Sequence, residues 1–344
     1  MEVLTHNTRP VFLSRSFRAI DVGSPRVLVD SPWEYVKLWL KRQDDVPKKA
    51  LYFWQQAAEF QKAAAIVDDI AKPLPAYYCM LNCTKAYLEC RHVSYSPYHG
   101  ITGKSKGRAY LANEQVIPKN TGVFPSFCKR VSSENELDLS PHTLKDLLRF
   151  LAFLHRAYFL SYQSEKEAFI PIGSPQYVID RKRRRVYIAF SIRNPRYFDG
   201  RTTNSLPAAF TRSESADDGL TFFSDASCEW KPGKNHKITN ERGLRTLHLK
   251  VRKYFDVIVS DRPLWYIRRE SYVQPWPQVM IMYAIMHRLS DLARYAPDRL
   301  VTLGESKYNW LIQEFLIGAL PQFVDLISSE ITGQEFFAPG RRSP

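Results

Sequence analysis

One stretch of this chain constrains its fold more than any other, the segment Pro73–Cys90. Pro75 suits the first turn of a helix, where a backbone N–H would be unpaired anyway, and no glycine or proline interrupts the residues that follow. Apolar residues recur at helical spacing along one face, and polar residues line up along another. The apolar face holds Tyr77, Met80, Leu81, Thr84 and Leu88, and the polar seam holds Tyr78, Asn82, Lys85 and Glu89. The sequence therefore predicts a core helix with a polar seam.

Composition bounds the kind of protein in which this helix lies. The chain has 344 residues, of which 44% are hydrophobic and 13% aromatic, so it can bury a large core. No apolar run approaches the roughly 20 residues that span a bilayer, and the N-terminal residues lack the layout of a signal peptide. The five cysteines are an odd and sparse set, which favours free thiols in a reducing compartment. We therefore expect a folded cytoplasmic protein with no membrane partner.

The net positive charge of the chain favours one class of binding partner. The formal net charge is +14, from 49 Lys and Arg against 35 Asp and Glu. Such an excess attracts polyanions over long range, so RNA or DNA is the expected partner. The excess is spread along the chain, and residues 181–185 form its only dense block. An ordinary solvated basic surface explains the same charge, and a protein partner or a homodimer also stays open.

Helical periodicity marks both ends of the chain. Ser31 at the N-cap, Pro32 at the first helical position and Glu34 have the spacing of a capping box. Ser140 and Pro141 open a second, strongly apolar helix. Besides Pro73–Cys90, the predicted helices cover about residues 32–41, 47–70, 140–158, 275–294, 308–317 and 323–331.

Strand signals occupy the middle of the chain. The β-branched and aromatic runs 176–180 and 185–191 flank a basic turn, which predicts a hairpin. Further short strands are expected at residues 220–223, 247–251, 257–259 and 264–267, and an exposed loop at residues 202–219. The predicted fold is mainly α with a β-rich insertion (α+β), and its helical body is built from N- and C-terminal segments. We expect an arm at residues 1–29, a helical region at 30–164, the insertion at 165–270, C-terminal helices at 271–337 and a disordered tail at 338–344.

The end of the Pro73–Cys90 helix and the loop that follows it provide the best candidate site. Residues 94–106 are loop-like, glycine-containing and basic, although they lack the spacing of a phosphate-binding P-loop. Convergence of Arg91 and His99 would give a cation for phosphate and an imidazole suited to proton transfer, so these two are the candidate catalytic residues. The candidate nucleic-acid-binding residues are Lys85, His92, Lys104, Lys106, Arg181, Lys182, Arg183, Arg184 and Arg185, with Tyr177 and Tyr187 available for stacking on a single strand. The structural alternative is that Asn82 and Lys85 pair with neighbouring helices and that His99-Gly100 only makes a turn.

The sequence gives little indication of a bound metal ion or cofactor. Cys79 and Cys83 lie four residues apart on one helix face, with Cys90 nearby, but small cysteines on an apolar helix are more often core residues than zinc ligands. The common hydrolase, dehydrogenase and zinc-protease signatures are missing from the sequence. We therefore predict no metal and no cofactor.

Two groups of short motifs resemble the YaaC-like protein family, a bacterial group without a firmly assigned activity. The first group is Pro73 to Asn82 with Lys85-Ala86 and His99-Gly100. The second is the helix from Met282 to Tyr295, the following Ala296-Pro297, Glu314-Phe315-Leu316 and Leu320-Pro321. The resemblance runs from about Trp33 to Ile331. With the positive charge, it implies a non-catalytic nucleic-acid-associated or partner-binding protein in a bacterial defence or stress setting.

The first group of motifs is also similar to the helix and turn of HEPN domains, which implies a metal-independent ribonuclease as the alternative function. HEPN ribonucleases carry an Arg-x4–6-His motif, with a polar residue usually following the arginine. The segment from Arg149 to His155 has this length, but Phe150 occupies the polar position. On one continuous helix the two side chains would lie about 240° apart, so they would share a site only if the helix broke between them. The ribonuclease alternative therefore uses Arg91 or Arg149 with His99 or His155.

Overall fold

The fold is mainly helical with small antiparallel sheets, in agreement with the predicted α+β class. A computed structural model describes residues 1–18, 27–132, 138–213, 220–260, 263–269, 276–306 and 309–337. Helix accounts for 50% of the structure and strand for 19%. The α-helices in these ranges are α1 (Pro32–Lys41), α2 (Lys48–Ile66), α3 (Pro73–Cys90), α4 (Val123–Val131), α5 (Leu144–Arg149), α6 (His155–Ser161), α7 (Gly200–Thr203), α8 (Lys237–Val251), α9 (Gln278–Tyr295), α10 (Pro297–Gly304) and α11 (Asn309–Thr332).

Within the described ranges, the strands form three sheets and two isolated pairs. They are β1 (Glu2–Val3), β2 (Thr5–His6), β3 (Arg9–Pro10), β4 (Val27–Leu28), β5 (Ile101–Ser105), β6 (Glu114–Pro118), β7 (His142–Thr143), β8 (Phe169–Ile172), β9 (Gln176–Asp180), β10 (Arg185–Ile192), β11 (Phe210–Arg212), β12 (Leu220–Ser224), β13 (Cys228–Glu229), β14 (Phe255–Ile258), β15 (Leu264–Arg268) and β16 (Phe336–Phe337). The largest sheet has the order β1-β9-β10-β12-β11, with β13 also paired to β10, and the smaller sheets are β14-β15-β8 and β5-β6-β7. The two pairs are β2-β3 and the parallel β16-β4.

Helix α3 lies at the centre of the helical body. It packs against α2, and also against α9 and α11 from the other end of the chain. Most of its side chains are consequently buried, including Tyr77, Asn82 and the three cysteines. Helix α9 is buried almost throughout for the same reason, since it contacts α3, α4, α5, α11 and β5. The helical body is thus built from N- and C-terminal segments, as predicted.

The N-terminal arm is tied to the rest of the fold by strands and by buried polar groups. Strand β1 adds to the edge of the large sheet beside β9, with Glu2 opposite Ile179. Further along the arm, the fully buried Arg252 donates hydrogen bonds to the Arg15 carbonyl, and the Nε2–H of His248 donates to the Ser16 carbonyl at 2.9 Å. These bonds pair backbone carbonyls that would otherwise be buried without partners.

Several predicted elements differ from the observed ones, each for an identifiable reason. Residues 94–106 are not all loop, because residues 101–105 form β5 and pair with β6 despite an internal glycine. Residues 247–251 form the end of α8 rather than a strand, since Leu244, Leu247 and Val251 lie at helical spacing and face the core. The predicted capping box at Ser31 makes no side-chain hydrogen bond, although α1 begins where expected.

Two helix boundaries also differ. The helix predicted from residue 140 to 158 breaks after Arg149 and resumes at His155, with a single 3-10 turn between. The two helices predicted at the C-terminus are one, because α11 continues through Pro321. The proline ring removes the hydrogen bond to the Ile317 carbonyl, and Ile317 lies on the exposed side of the helix, where water can replace that bond. The predicted tail, residues 338–344, lies outside the described residues.

One helical stretch is apolar enough to suggest a membrane span. Among the described residues, only Trp310–Thr332 has the length and composition to cross a bilayer, and 67% of its most apolar window is buried inside the fold. Its apolar residues are therefore largely used to pack against α1, α3 and α9, as in the core helix of a soluble protein.

Candidate histidine site between α3 and α9

His99 is held in place by a close approach of two glycines. Gly100 has a φ of +74° and Gly122 a φ of +126°, and their backbones pack against each other without room for a side chain on either residue. A Cβ on Gly122 would lie 2.5 Å from the Cα of Gly100. The contact brings the His99 carbonyl to the first turn of α4, where it accepts a hydrogen bond from Phe124 N at 3.0 Å. The His99 backbone is thus fixed on both sides.

The imidazole of His99 joins a hydrogen-bonded chain between α3 and α9. The Oη of Tyr77 on α3 bonds to Nδ1 of His99, and it lies 3.3 Å from the Oη of Tyr283 on α9. Both tyrosines are fully buried, whereas His99 is half-buried. The edge of the Tyr77 ring also packs against His287, with ring centroids 5.0 Å apart. The chain therefore runs from the core to a partly exposed ring.

The direction of this chain follows from counting protons. Each phenol has one proton to donate, and Tyr77 is the only hydrogen-bond partner of Tyr283 Oη within the described ranges. If Tyr283 donates to Tyr77, Tyr77 can donate to Nδ1 of His99, and both phenol protons have acceptors. The reverse direction would leave the Tyr283 proton buried without an acceptor, which costs about 1–3 kcal/mol. Nδ1 of His99 is thus an acceptor, and the neutral ring carries its proton on Nε2, the nitrogen that is not bonded to Tyr77.

Two cations lie near His99 and favour its neutral form. Burial lowers the pKa of His99 below its usual value, and the charges of Arg294 and Lys85 lower it further, while Asp291 opposes them. Arg294, at the end of α9, donates to Asp291 at 2.9 Å. Lys85, from the polar seam of α3, lies with its ammonium 5.2 Å from the Phe53 ring, and burial together with the charge of Lys49 lowers its pKa. The site is thus an imidazole whose neutral form is favoured by burial and by the charges of an arginine and a lysine.

The buried ring of His287 on α9 packs against the rings of Tyr77 and His99. Burial, followed by the charges of His99 and Arg294, lowers the pKa of His287 to about 3, so the ring is neutral. Its Nδ1 lies 3.6 Å from the Asp291 carboxylate, which is too long for a hydrogen bond, and without a charge on the ring the contact is no ion pair. His287 is therefore a packed ring beneath Tyr77 and His99.

A buried carboxylate on β6 pairs with arginines of α9 and α10, and β5 is joined to the same group through Ser105. The carboxylate of Glu114 is completely buried and accepts hydrogen bonds from Arg288 and Arg299. Arg288 also donates to Ser105, and its side chain fills the space where a Cβ on Gly103 would lie. The strand that follows His99 is consequently anchored to the helix that carries His287 and Arg294.

The structure does not bring Arg91 to His99. Arg91 ends α3, and its guanidinium donates to the carbonyls of Glu330 and Ile331 at the end of α11. His99 contacts Tyr77, which lies 14 residues earlier on the same helix, or about 21 Å along its axis. The expected pairing of Arg91 with His99 is therefore wrong in geometry, because the loop after α3 folds back along the helix.

Other predicted binding residues are also dispersed. His92 follows α3 with a φ of +52° in a Schellman turn, in which Val93 N donates to Leu88 O at 3.0 Å, and its side chain is exposed. Lys104 and Lys106 are exposed at the end of β5. Gly103 and Ser105 face α9. Because side chains alternate along a strand, Lys104 points to the opposite face, away from α9. Of the predicted set, Lys85 is the residue that lies close to His99.

The predicted hairpin is present, with its basic turn exposed. Within the turn, Arg181 pairs with Glu2 at 2.6 Å, Arg183 with Asp180 at 3.8 Å, and Arg185 donates to Ser227. Lys182 and Arg184 make no side-chain hydrogen bond or ion pair to the described residues. Tyr177 is 1% exposed, so the expected stacking of nucleic acid on this residue is wrong: in the pleat of β9 it faces the core.

The helix between Arg149 and His155 does break, yet the two side chains have different surroundings. Arg149 pairs with Glu165 at 2.9 Å, whereas Nδ1 of His155 bonds to the Ala152 carbonyl and its ring packs on Tyr266. Burial lowers the pKa of His155. The break thus serves packing and does not assemble the HEPN pair.

Sequence reasoning missed four site residues, Tyr283, His287, Asp291 and Arg294. The signal that could have found them lies in α9, where His287, Asp291 and Arg294 follow one another at spacings of four and three in a mostly apolar helix. Such a polar stripe on a buried helix points to a partner surface or a site. Within the described ranges, no three or more His, Cys, Asp or Glu side chains form a group that could hold a metal ion.

The fold and the site define a basic, mainly helical α+β protein in which a loop histidine is held against two core helices by buried tyrosines. The model of the YaaC-like protein family matches residues 28–331, nearly the whole chain. The chain belongs to this family, as the short motifs indicated. Comparisons with curated proteins and with solved structures gave no match.

Proposed function

We propose that this protein binds nucleic acid by holding a backbone phosphate at His99, Arg294 and Lys85. The observation that carries the proposal is the half-buried imidazole that is hydrogen-bonded to buried Tyr77 and packs on His287 of α9, the helix that ends with Arg294; the charges of Arg294 and Lys85 both act on this ring. The Nε2–H of His99, the guanidinium and the ammonium are all hydrogen-bond donors, and phosphate oxygens are acceptors only. The net charge of +14 supports the same partner through long-range attraction.

Binding is favoured over cleavage by the protonation of His99. A general base must present a lone pair to the hydroxyl that it deprotonates. With Nδ1 occupied by Tyr77 and the proton on Nε2, the neutral ring offers a ligand a donor and no free lone pair. A donor of this kind holds a phosphate oxygen without taking a proton from the ligand.

A metal-independent ribonuclease is the second candidate, and one observation favours it. The lowered pKa of His99 keeps the ring unprotonated near neutral pH, as a base requires. For catalysis the Tyr77–His99 hydrogen bond would have to reverse, which would move the free lone pair to Nε2. Among the four residues predicted for the ribonuclease, only His99 belongs to this candidate. Arg294 takes the place that was expected for Arg91 or Arg149.

The test is a binding and cleavage assay on the same samples. Fluorescence anisotropy with labelled RNA and DNA of mixed sequence should give saturable binding that weakens with salt. Arg294→Gln should reduce the affinity at least about tenfold, because a charge-assisted hydrogen bond is lost. Arg42→Gln, at the exposed end of α1, is the matched control and should bind like the wild type.

Two results would decide against the proposal. Equal affinities for Arg294→Gln and Arg42→Gln would exclude the His99 site as the binding site. RNA cleavage that is lost in His99→Gln and persists in the presence of a chelator would favour the ribonuclease. A role in bacterial defence stays a prediction from the family resemblance, as does a protein partner or homodimer.

A further inference from the structure

An exposed tyrosine lies directly beside the phosphate-binding residues. Tyr295 is the last residue of α9 and is 77% exposed, and the Arg294 guanidinium lies 4.9 Å from the centre of its ring. Tyr98, which directly precedes His99 in the chain, is 73% exposed. Large aromatic residues are normally buried more than this, so two exposed rings next to two phosphate donors are a notable pairing.

The distances along α9 fit a short strand. Tyr295 lies eight residues beyond His287, the residue that packs against His99, which is about 12 Å along the helix axis. A stacked strand covers this distance with about three or four nucleotides at ~3.4 Å each. A strand with a phosphate at His99 would therefore place a base about three or four nucleotides further along within reach of the Tyr295 ring, beside Arg294.

We infer that the ligand of this site is single-stranded nucleic acid, with one base stacked on Tyr295 and a second on Tyr98. The inference rests on the proposed nucleic-acid binding at His99 and Arg294. Aromatic rings accept any base by its flat face, but in a duplex those faces are already stacked on neighbouring bases. Base stacking beside phosphate donors thus selects unpaired strands without selecting a sequence.

The experiment compares a labelled single strand of about 12 nucleotides with the matching duplex, for the full chain and three variants. The wild type should bind the single strand more tightly than the duplex. Tyr295→Ala should weaken single-strand binding by about 5- to 150-fold, the range expected for one lost base–aromatic stack, and should leave duplex binding unchanged. Tyr295→Phe should restore the affinity, because the ring is retained. Tyr52→Ala, at a tyrosine on α2 that is 62% exposed, is the matched control and should have no effect.

The outcomes separate this inference from the proposed function. Equal binding of strand and duplex, with Tyr295→Ala indistinguishable from Tyr52→Ala, would overturn the inference while leaving phosphate binding at Arg294 in place. Failure of the wild type to bind either ligand would overturn both. A loss in Tyr295→Ala that Tyr295→Phe does not rescue would assign the effect to the hydroxyl and also contradict stacking.

Discussion

Replacing Tyr77 with phenylalanine tests the hydrogen-bonded chain that sets the state of His99. Tyr77→Phe keeps the ring, its packing against His287 and Tyr283, and the volume of the core. It removes one oxygen, and with it the acceptor for the Tyr283 proton and the donor to His99 Nδ1. Because the Tyr283 hydroxyl is completely buried, its proton would then have no partner.

The cost can be worked from this geometry. A buried polar group left without a partner costs about 1–3 kcal/mol. For a chain of this length, the entropy of unfolding is about 0.7 kcal/mol per degree, so Tm should fall by about 1.5–4 °C. Tyr283→Phe removes the donor and orphans no proton, so it should cost less. The double variant removes both hydroxyls and should be more stable than Tyr77→Phe alone.

The assay is urea unfolding of the wild type, the two single variants and the double variant. These four proteins form a double-mutant cycle, and the predicted coupling is strongly non-additive. If the chain ran in the opposite direction, the Tyr283 proton would already lack an acceptor in the wild type, so Tyr77→Phe would orphan no further phenol proton and should cost no more than Tyr283→Phe. That order of stabilities, or simple additivity, would refute the assigned direction and the Nε2–H form of His99.

Three further predictions concern the loop, the end of α3 and the buried histidines. Gly122→Ala should lower the free energy of unfolding by about 3 kcal/mol or more, because its φ of +126° and ψ of −175° are accessible in practice only to glycine and the new Cβ would meet backbone atoms. The control is Gly304→Ala, since no atom lies within 4 Å of the Cβ added there. Equal unfolding midpoints for the two variants would contradict this prediction. His92→Gly should stabilise the chain by about 0.5–1 kcal/mol in thermal unfolding, since its left-handed conformation suits glycine, and destabilisation would refute this. Burial lowers the pKa values of His287 and His248 to about 3 in the folded chain. Below about pH 6.5 the unfolded chain, whose histidines have the higher pKa, therefore binds more protons than the folded chain. The free energy of unfolding should consequently fall by about 1.4 kcal/mol per pH unit for each histidine as the pH drops. Equal urea midpoints at about pH 7 and about pH 5 would show that these rings are not buried as described.

Much of the fold could be predicted because its strongest signals are local. The apolar period of α3 and the hairpin runs on either side of the basic turn depend on neighbouring residues, so the sequence displays them directly. Strand β5 was missed because its stability comes from pairing with β6 and from Arg288 beneath Gly103, which are contacts distant in sequence. The break at residues 150–154 is likewise set by tertiary packing, which local propensity does not contain.

The candidate site was only half predictable. His99 and Lys85 were recognisable because they lie in one segment with the α3 motif. Arg91 is close to His99 in sequence, but it lies at the end of α3, about 21 Å along the helix axis from Tyr77, the residue that His99 contacts. The cation that accompanies His99 is Arg294, nearly 200 residues later, and it can be identified only once α3 and α9 are known to pack together.

The salt dependence of single-strand binding tests the central claim most directly. The logarithm of the affinity should fall linearly with the logarithm of the salt concentration, and the slope counts the phosphates that the protein neutralises. If His99, Arg294 and Lys85 hold backbone phosphate, Arg294→Gln and Lys85→Gln should each reduce the magnitude of that slope by about 0.7, whereas Arg42→Gln should leave it unchanged. Identical slopes for all four proteins would contradict phosphate binding at this site.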